Sequence, residues 1–162
     1  MTEAEKRLNR VCFTGHRPEK LRSSESAVIA RLETAISDAI AQGYKTFITG
    51  MARGVDIWAG EIVLSKKEHH PNLHLICALP YPGFELRWSQ NWQQRYQHLL
   101  QHADLVRTIC PAYSPHSFQR RNEWMVDHSA LVLDAFNGEV GGTQNTIKYA
   151  QQNGVAIKLL KA

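Results

Sequence analysis

The stretch Val11-Cys12-Phe13-Thr14-Gly15-His16-Arg17-Pro18 decides the fold. Three apolar residues end at a Thr-Gly step, and from about Ser24 to Gln42 the residues Val28, Leu32, Ala35, Ile36, Ala39 and Ile40 recur at helical spacing before Gly43. A short strand, a loop and a capped amphipathic helix account for that pattern. The same unit repeats outward along the chain. Thr46-Phe47-Ile48 leads through a glycine-containing loop to a helix marked by Ile57, Trp58, Ile62 and Val63, and Leu73–Leu79 reads as a third strand. Trp88, Trp92, Tyr96, Leu99 and Leu100 mark a longer helix, followed by strands over Leu105–Cys110, Ala130–Leu133 and Val155–Leu160. Six strands alternating with five helices predict an α/β, Rossmann-like three-layer fold, with a mainly parallel sheet covered by helices on both faces.

The chain has 162 residues, 43% hydrophobic and 21% charged, which suits one domain over residues 1–162. Lys plus Arg is 19 against 15 for Asp plus Glu, and the surplus is spread thinly, with no run of like charges. A nucleic-acid tail or a membrane-surface patch would concentrate it. No apolar run approaches the roughly 18 residues of a membrane helix, and Met1 to Arg10 lacks the apolar core of a secretion signal. Cys12, Cys77 and Cys110 lie in separate apolar runs without a Cys-x-x-Cys pair, which predicts reduced, buried thiols in a cytoplasmic protein.

Right-handed crossovers place every loop that follows a strand on one sheet edge, where open α/β folds bind their ligands. The unusual residues gather in those loops. Gly50 and Gly54 bracket a strand-to-helix turn, so backbone N–H groups there can approach a phosphate, with Arg53 supplying charge. A tight turn needs glycine for backbone reasons too. Asp56 in the first helical turn suits either a ligand or the helix dipole. Gly141-Gly142-Thr143 opens the last helix, with Thr143 as a ligand contact or as the N-cap. Arg120-Arg121-Asn122 sits where a loop enters a helix, and paired guanidinium groups suit phosphate or carboxylate as well as a solvated turn. His16 and Arg17 are a bulky polar pair where the sheet splays open, and Tyr81, Tyr113 and Phe118 are placed to stack on a base. His98 and His102 are four residues apart without a third partner, and His70 and His74 are separated by Pro71, so no metal site is expected. There is no Gly-x-Ser-x-Gly elbow and no full Walker loop.

Together, Thr14-Gly15-His16-Arg17-Pro18, Gly50-Met51-Ala52-Arg53-Gly54-Val55-Asp56, Pro80-Tyr81-Pro82, Arg121-Asn122-Glu123-Trp124-Met125-Val126-Asp127 and Gly141-Gly142-Thr143 resemble the YpsA-like branch of the SLOG superfamily. The resemblance runs from about residue 10 to the C-terminus. SLOG domains are Rossmann-like and include the LOG phosphoribohydrolases, which cleave cytokinin nucleotides, and the DNA-processing protein DprA (Smf). The second motif is similar to the DprA segment Ser-Gly-Leu-Ala-x-Gly-Ile-Asp. The LOG enzymes pair an arginine in Arg-Lys-x-x-Met with a glutamate three residues after the threonine of Gly-Gly-x-Gly-Thr, and here that last position is Thr146. The family's carboxylate is missing, leaving Asp134, Asp56 and Glu123 as substitutes.

The expectation is therefore a nucleotide or nucleotide-derived ligand bound at the C-terminal edge of the sheet, in a sensor or regulatory role, with no cofactor. Gly15, His16, Arg17, Gly50, Arg53, Gly54, Asp56, Tyr81, Arg121, Asn122, Gly141, Gly142 and Thr143 are the expected ligand contacts. No catalytic residue is assigned. The alternative is a nucleotide N-glycosidase or phosphoribohydrolase at the same site. DprA-like single-stranded DNA binding ranks below both, because it calls for a basic groove with stacking platforms. The resemblance also implies a homodimer, since SLOG relatives often dimerise.

Overall fold

The computed structural model describes residues 1–162. Its order is α1 (Glu3–Arg7), β1 (Arg10–Gly15), α2 (Glu25–Ala41), β2 (Thr46–Thr49), α3 (Val55–Lys67), β3 (His74–Leu79), α4 (Gln90–His102), β4 (Leu105–Thr108), α5 (Ser117–Asp127), β5 (Leu131–Phe136), α6 (Gly142–Gln152) and β6 (Ala156–Lys161), with a 3-10 turn at Pro18–Lys20. The six strands form one sheet in the order β4-β3-β2-β1-β5-β6. Every neighbouring pair is parallel.

Alternation along the strands divides the core between two faces. Val11, Phe13, Phe47, Leu75, Cys77 and Leu133 pack with Leu32 and Ile36 of α2, Ile57 and Val63 of α3, and Tyr96 and Leu99 of α4. Cys12, Ile48, Ile76 and Val132 face the other way, against Met125 and Val126 of α5 and Ala150 of α6. The three cysteines are free and buried. No helix is long and apolar enough to cross a membrane.

Boundaries moved where the sheet protects more backbone than local hydrophobicity suggests. β1 continues through Thr14-Gly15, and β5 runs on to Phe136, because the two strands pair from Val11–Leu131 to Gly15–Ala135. Asp134 is consequently a strand residue rather than part of the following loop. Trp88 lies before α4, whose first turn is capped by the Ser89 hydroxyl accepting from Trp92 N–H. The charged N-terminus is helical, closed by a capping box in which Thr2 and Glu5 bond each other's backbone N–H. Thr2-x-x-Glu5 was the sequence signal for it.

From β1 the chain steps outward to β2, β3 and β4, then returns across the sheet to place β5 on the other side of β1. The order therefore switches between β1 and β5, and a crevice opens at their carboxyl ends. The helix that makes the return is α5.

Candidate functional site

A cavity of about 550 Å³ lies at this switch point, within the size range of small-molecule sites. The end of β1 and its loop contribute Gly15, His16 and Arg17, and Lys20 of the 3-10 turn joins them. The β2–α3 turn brings Arg53 and Asp56, α5 brings Phe118, Arg121 and Asn122, and the opposite side is closed by Asn137, Glu139, Val140 and Gly141 of the β5–α6 loop with Gly142 and Thr143 at the start of α6. Phe84 and Trp88 extend the aromatic wall.

The helix start at α6 is open to this cavity. Its N-cap is Gly141, without a side-chain cap, and both Gly141 and Gly142 are exposed. A side chain built on either glycine would meet nothing within 4 Å. Thr143, expected as an N-cap or a ligand contact, is not the N-cap; it lines the cavity from the first turn, largely buried, and its hydroxyl donates to Gly15 O at 3.2 Å. That bond ties α6 to the end of β1.

The β2–α3 turn is built differently. Three of its amides bond within the protein: Met51 N–H to the Thr49 hydroxyl (3.3 Å), Ala52 N–H to Asp56 Oδ2 (3.3 Å) and Val55 N–H to His16 O (3.4 Å). Gly50 and Gly54 lie outside the cavity wall. Gly54 has φ +90°, and a Cβ there would sit 2.7 Å from His16 O and 2.9 Å from Pro18 Cδ. Close packing against the β1 loop by itself demands glycine there. Gly54→Ala is therefore expected to cost about 1 to 3 kcal/mol of stability, read as a lowered melting temperature whether or not ligand is present.

Gly50 makes room for two charges. A Cβ at Gly50 would lie 2.8 Å from Asp56 Oδ2 and 2.9 Å from Arg121 Cζ. Arg121 is buried, donates through Nη1 to Gly50 O and through Nε to Asn122 Oδ1 at 2.9 Å. Asp56 is buried as well, with Oδ1 left unpartnered. Burial pushes the Asp56 carboxyl up to about 6, against the opposing pull of the Arg121 charge and the Ala52 N–H. Burial likewise lowers Arg121, opposed by Asp56. Of the consecutive Arg120 and Arg121 on α5, only Arg121 turns inward, and Arg120 is left exposed to solvent.

On the rim, Arg53 Nη2 donates to Glu19 Oε1 at 2.9 Å, and Arg17 Nε lies 3.9 Å from the same oxygen. Arg17 is more than half exposed. His16 accepts the Asn137 N–H at Nε2 (3.0 Å) and stacks on Phe136. Burial lowers its pKa. Arg22 and Glu139 bridge the two loops at 2.7 Å.

Tyr81 stands behind the cavity wall, edge-on to Phe84, Tyr113 and Phe118. It supports the stacking surface and is not on it. The cavity lining includes the aromatic residues Phe84, Trp88 and Phe118, the last 41% exposed, together with the buried Phe13.

Of the three carboxylates considered as substitutes, only Asp56 reaches the cavity. Asp134 shares the α5–α6 face of the sheet with Cys12 and Thr14 and is fully buried, with neither oxygen bonded. Burial pushes it up to about 8. Glu123 lies on α5 outside the wall. Thr146 is buried, and its hydroxyl donates to Gly142 O at 3.0 Å. Lys20, Asn137 and Glu139 were not anticipated as site residues, and Asn137-Gly138 is the turn dipeptide that marks this rim.

The YpsA family model, described as the YspA SLOG family, matches residues 11–162. The chain is similar to the uncharacterized SPbeta prophage-derived protein YoqJ of Bacillus subtilis strain 168, at 30% identity over 82% of this chain and 81% of that protein. It is also similar to a UPF0398 protein of Staphylococcus saprophyticus, at 28% identity over 67% of this chain, and spans only 58% of that relative's length. Among solved structures, DNA processing protein A of Helicobacter pylori, studied for its single-stranded DNA binding mode, superposes with a TM-score of 0.68 at 20% identity. That match covers 99% of this chain and 68% of the other. The DprA of Streptococcus pneumoniae gives a TM-score of 0.66 at 13% identity, with 96% and 51% covered. At these identities the likeness is one of fold.

Proposed function

Because this chain belongs to the YspA SLOG family, we propose that it binds a nucleotide or nucleotide-derived ligand in the switch-point cavity and acts as a cytoplasmic sensor or regulator. One observation carries this: the cavity combines the uncapped start of α6 and the cations Arg17, Lys20, Arg53 and Arg121 with the rings of Phe84, Trp88 and Phe118. An anionic group suits a helix N-terminus flanked by guanidinium groups, and a planar base suits aromatic faces. The glycines that matter for the phosphate are Gly141 and Gly142, while Gly50 and Gly54 shape the turn that carries Arg53 and Asp56.

A thermal-shift series with AMP, GMP, NAD and ADP-ribose tests the proposal. A ligand at about 100 times its dissociation constant stabilises by roughly 2.7 kcal/mol. Failure of every nucleotide to raise the melting temperature would sink it. Arg17→Ala is expected to weaken the best ligand by about 1.5 to 3 kcal/mol, the range for a hydrogen bond to a charged group. Its exposure keeps the change from disturbing the core. Isothermal titration reads the loss.

Turnover is not expected. Thr146, at the position of the missing family glutamate, is buried with its hydroxyl already committed to Gly142 O, and a hydroxyl cannot serve as a carboxylate base near neutral pH. Overnight incubation with AMP, GMP, CMP and UMP should release no more free base than buffer alone, as followed by chromatography. Enzyme-dependent release would instead favour the phosphoribohydrolase alternative, with Asp56 as the first carboxylate to replace.

Single-stranded DNA is the second macroscopic alternative, carried by what the H. pylori relative is described as binding. Exposed Tyr113 and Phe118 near the cavity are its support here. A shift assay across salt concentrations separates it from the small-ligand proposal, since phosphate-backbone binding weakens steeply with salt.

A further inference from the structure

The β5–α6 loop is fastened to the β1–α2 loop through Asn137. Its side-chain amide donates to Lys20 O at 2.9 Å, and its Oδ1 accepts from Glu139 N–H at 2.9 Å. Its backbone N–H donates to His16 Nε2 at 3.0 Å.

An amide N–H can only donate, so Nε2 must hold a free lone pair, and the single proton of the neutral ring sits on Nδ1. A doubly protonated ring would set two donors against each other. Phe136 fixes the ring plane by stacking at 6.0 Å and 23°. The charged groups bearing on the ring are Glu139 from the β5–α6 loop and Lys20 from the β1–α2 loop, and they pull its charge in opposite directions. Nδ1 bonds to nothing in the protein, and it is not among the polar atoms sealed from solvent without a partner. His16 is one of the residues that line the cavity.

We propose that His16 is a specificity-determining residue, a neutral imidazole locked as the Nδ1–H tautomer that donates one hydrogen bond to an acceptor atom of the ligand. This rests on the ligand-binding role proposed above. Such a donor accepts a hydroxyl, carbonyl or phosphoryl oxygen and rejects an ammonium or amide N–H at the same point. It also joins recognition to the rim, because the ring that meets the ligand is the ring that holds the Asn137 loop.

Two substitutions separate these halves of the ring. His16→Gln places an acceptor oxygen near the Nε2 position and keeps the rim bond without the Nδ1–H donor. His16→Asn places an N–H near the Nδ1 position and loses the rim bond. A long-range ¹H–¹⁵N spectrum of the labelled full chain at neutral pH should show Nδ1 protonated and Nε2 bare. With AMP, ADP-ribose and inorganic phosphate as probes, His16→Gln should melt with the parent yet bind the best probe roughly three- to tenfold more weakly, the worth of one neutral hydrogen bond. His16→Asn should keep more of the affinity but show faster hydrogen exchange at the Asn137 amide. An Nε2-protonated ring, or parental affinity in His16→Gln, overturns the assignment. If the tautomer is as expected and the parent binds none of the probes, the ligand-binding role itself fails and takes the donor role with it. Parental binding with an Nε2-protonated ring leaves that role standing and removes only His16 from it.

Discussion

Arg121→Met is expected to destabilise the protein by about 2 to 3 kcal/mol, because it leaves the buried Gly50 carbonyl without its charged donor and strips the buried Asp56 carboxyl of a nearby positive charge. Asp56 and Arg121 approach the same point beside Gly50, one from the start of α3 and one from the middle of α5. Remove the guanidinium and the Asp56 carboxyl keeps its burial and one backbone N–H but loses the charge that favours its ionised form. Its pKa then rises further, so the damage deepens as pH increases. The double change Arg121→Met with Asp56→Asn should recover part of the loss, because no charge is then stranded. Urea denaturation of the parent, both single variants and the double variant gives the coupling directly. Additive losses would mean that the two groups stabilise the fold independently.

The second large effect concerns pH. Asp134 has its carboxyl fully buried with no hydrogen-bond partner and is pushed up to about 8. An acid whose folded pKa lies above its unfolded value favours folding in its protonated form, so its contribution is lost as pH rises from about 4 towards 8. Asp56 acts in the same direction but only up to about 6. His16, lowered by burial, acts in the opposite direction and at the acid end, where protonation opposes folding. Between pH about 6.5 and 8 the remaining slope belongs to Asp134. Asp134→Asn should flatten it and leave the variant more stable than the parent at pH 8, by a few kcal/mol. Denaturant midpoints measured across that interval decide it, and parallel curves for parent and variant would show that Asp134 titrates normally in the fold.

The periodic signals carried the fold well. Alternating apolar runs and helical stripes were enough for six strands, the five helices between them and the parallel order, because each depends on neighbours in sequence. Gly15, His16, Arg17, Arg53, Asp56, Arg121, Asn122, Gly141, Gly142 and Thr143 do converge on one cavity. What each does there was less legible. Local sequence does not show that α5 returns from the edge strand β4 to the middle of the sheet, and that path is what buries Arg121 and leaves Arg120 in solvent. Nor does a glycine reveal which neighbour it is avoiding. Gly54 avoids the His16 carbonyl and Pro18, Gly50 avoids the buried Asp56 and Arg121 side chains, and Gly141 avoids nothing at all. Asn137 depends on a contact with His16, 121 positions earlier in the chain, and no spacing rule reaches that far.

The pairing of β1 with β5 also has a consequence for how the protein is made. Gly15 and Ala135 are register partners separated by 120 positions. At about 5 to 20 residues per second of synthesis, one flank of the first strand waits roughly 6 to 24 s for its mate to emerge. During that interval a nascent chain can satisfy β1 through β2 on one side only, with bare amides and carbonyls on the other. An unpaired flank of this kind is a template for the wrong strand, including one from a neighbouring ribosome. Holding factors that engage the emerging chain, or slow translation that lengthens the wait, should therefore alter the yield of soluble protein more than its final stability.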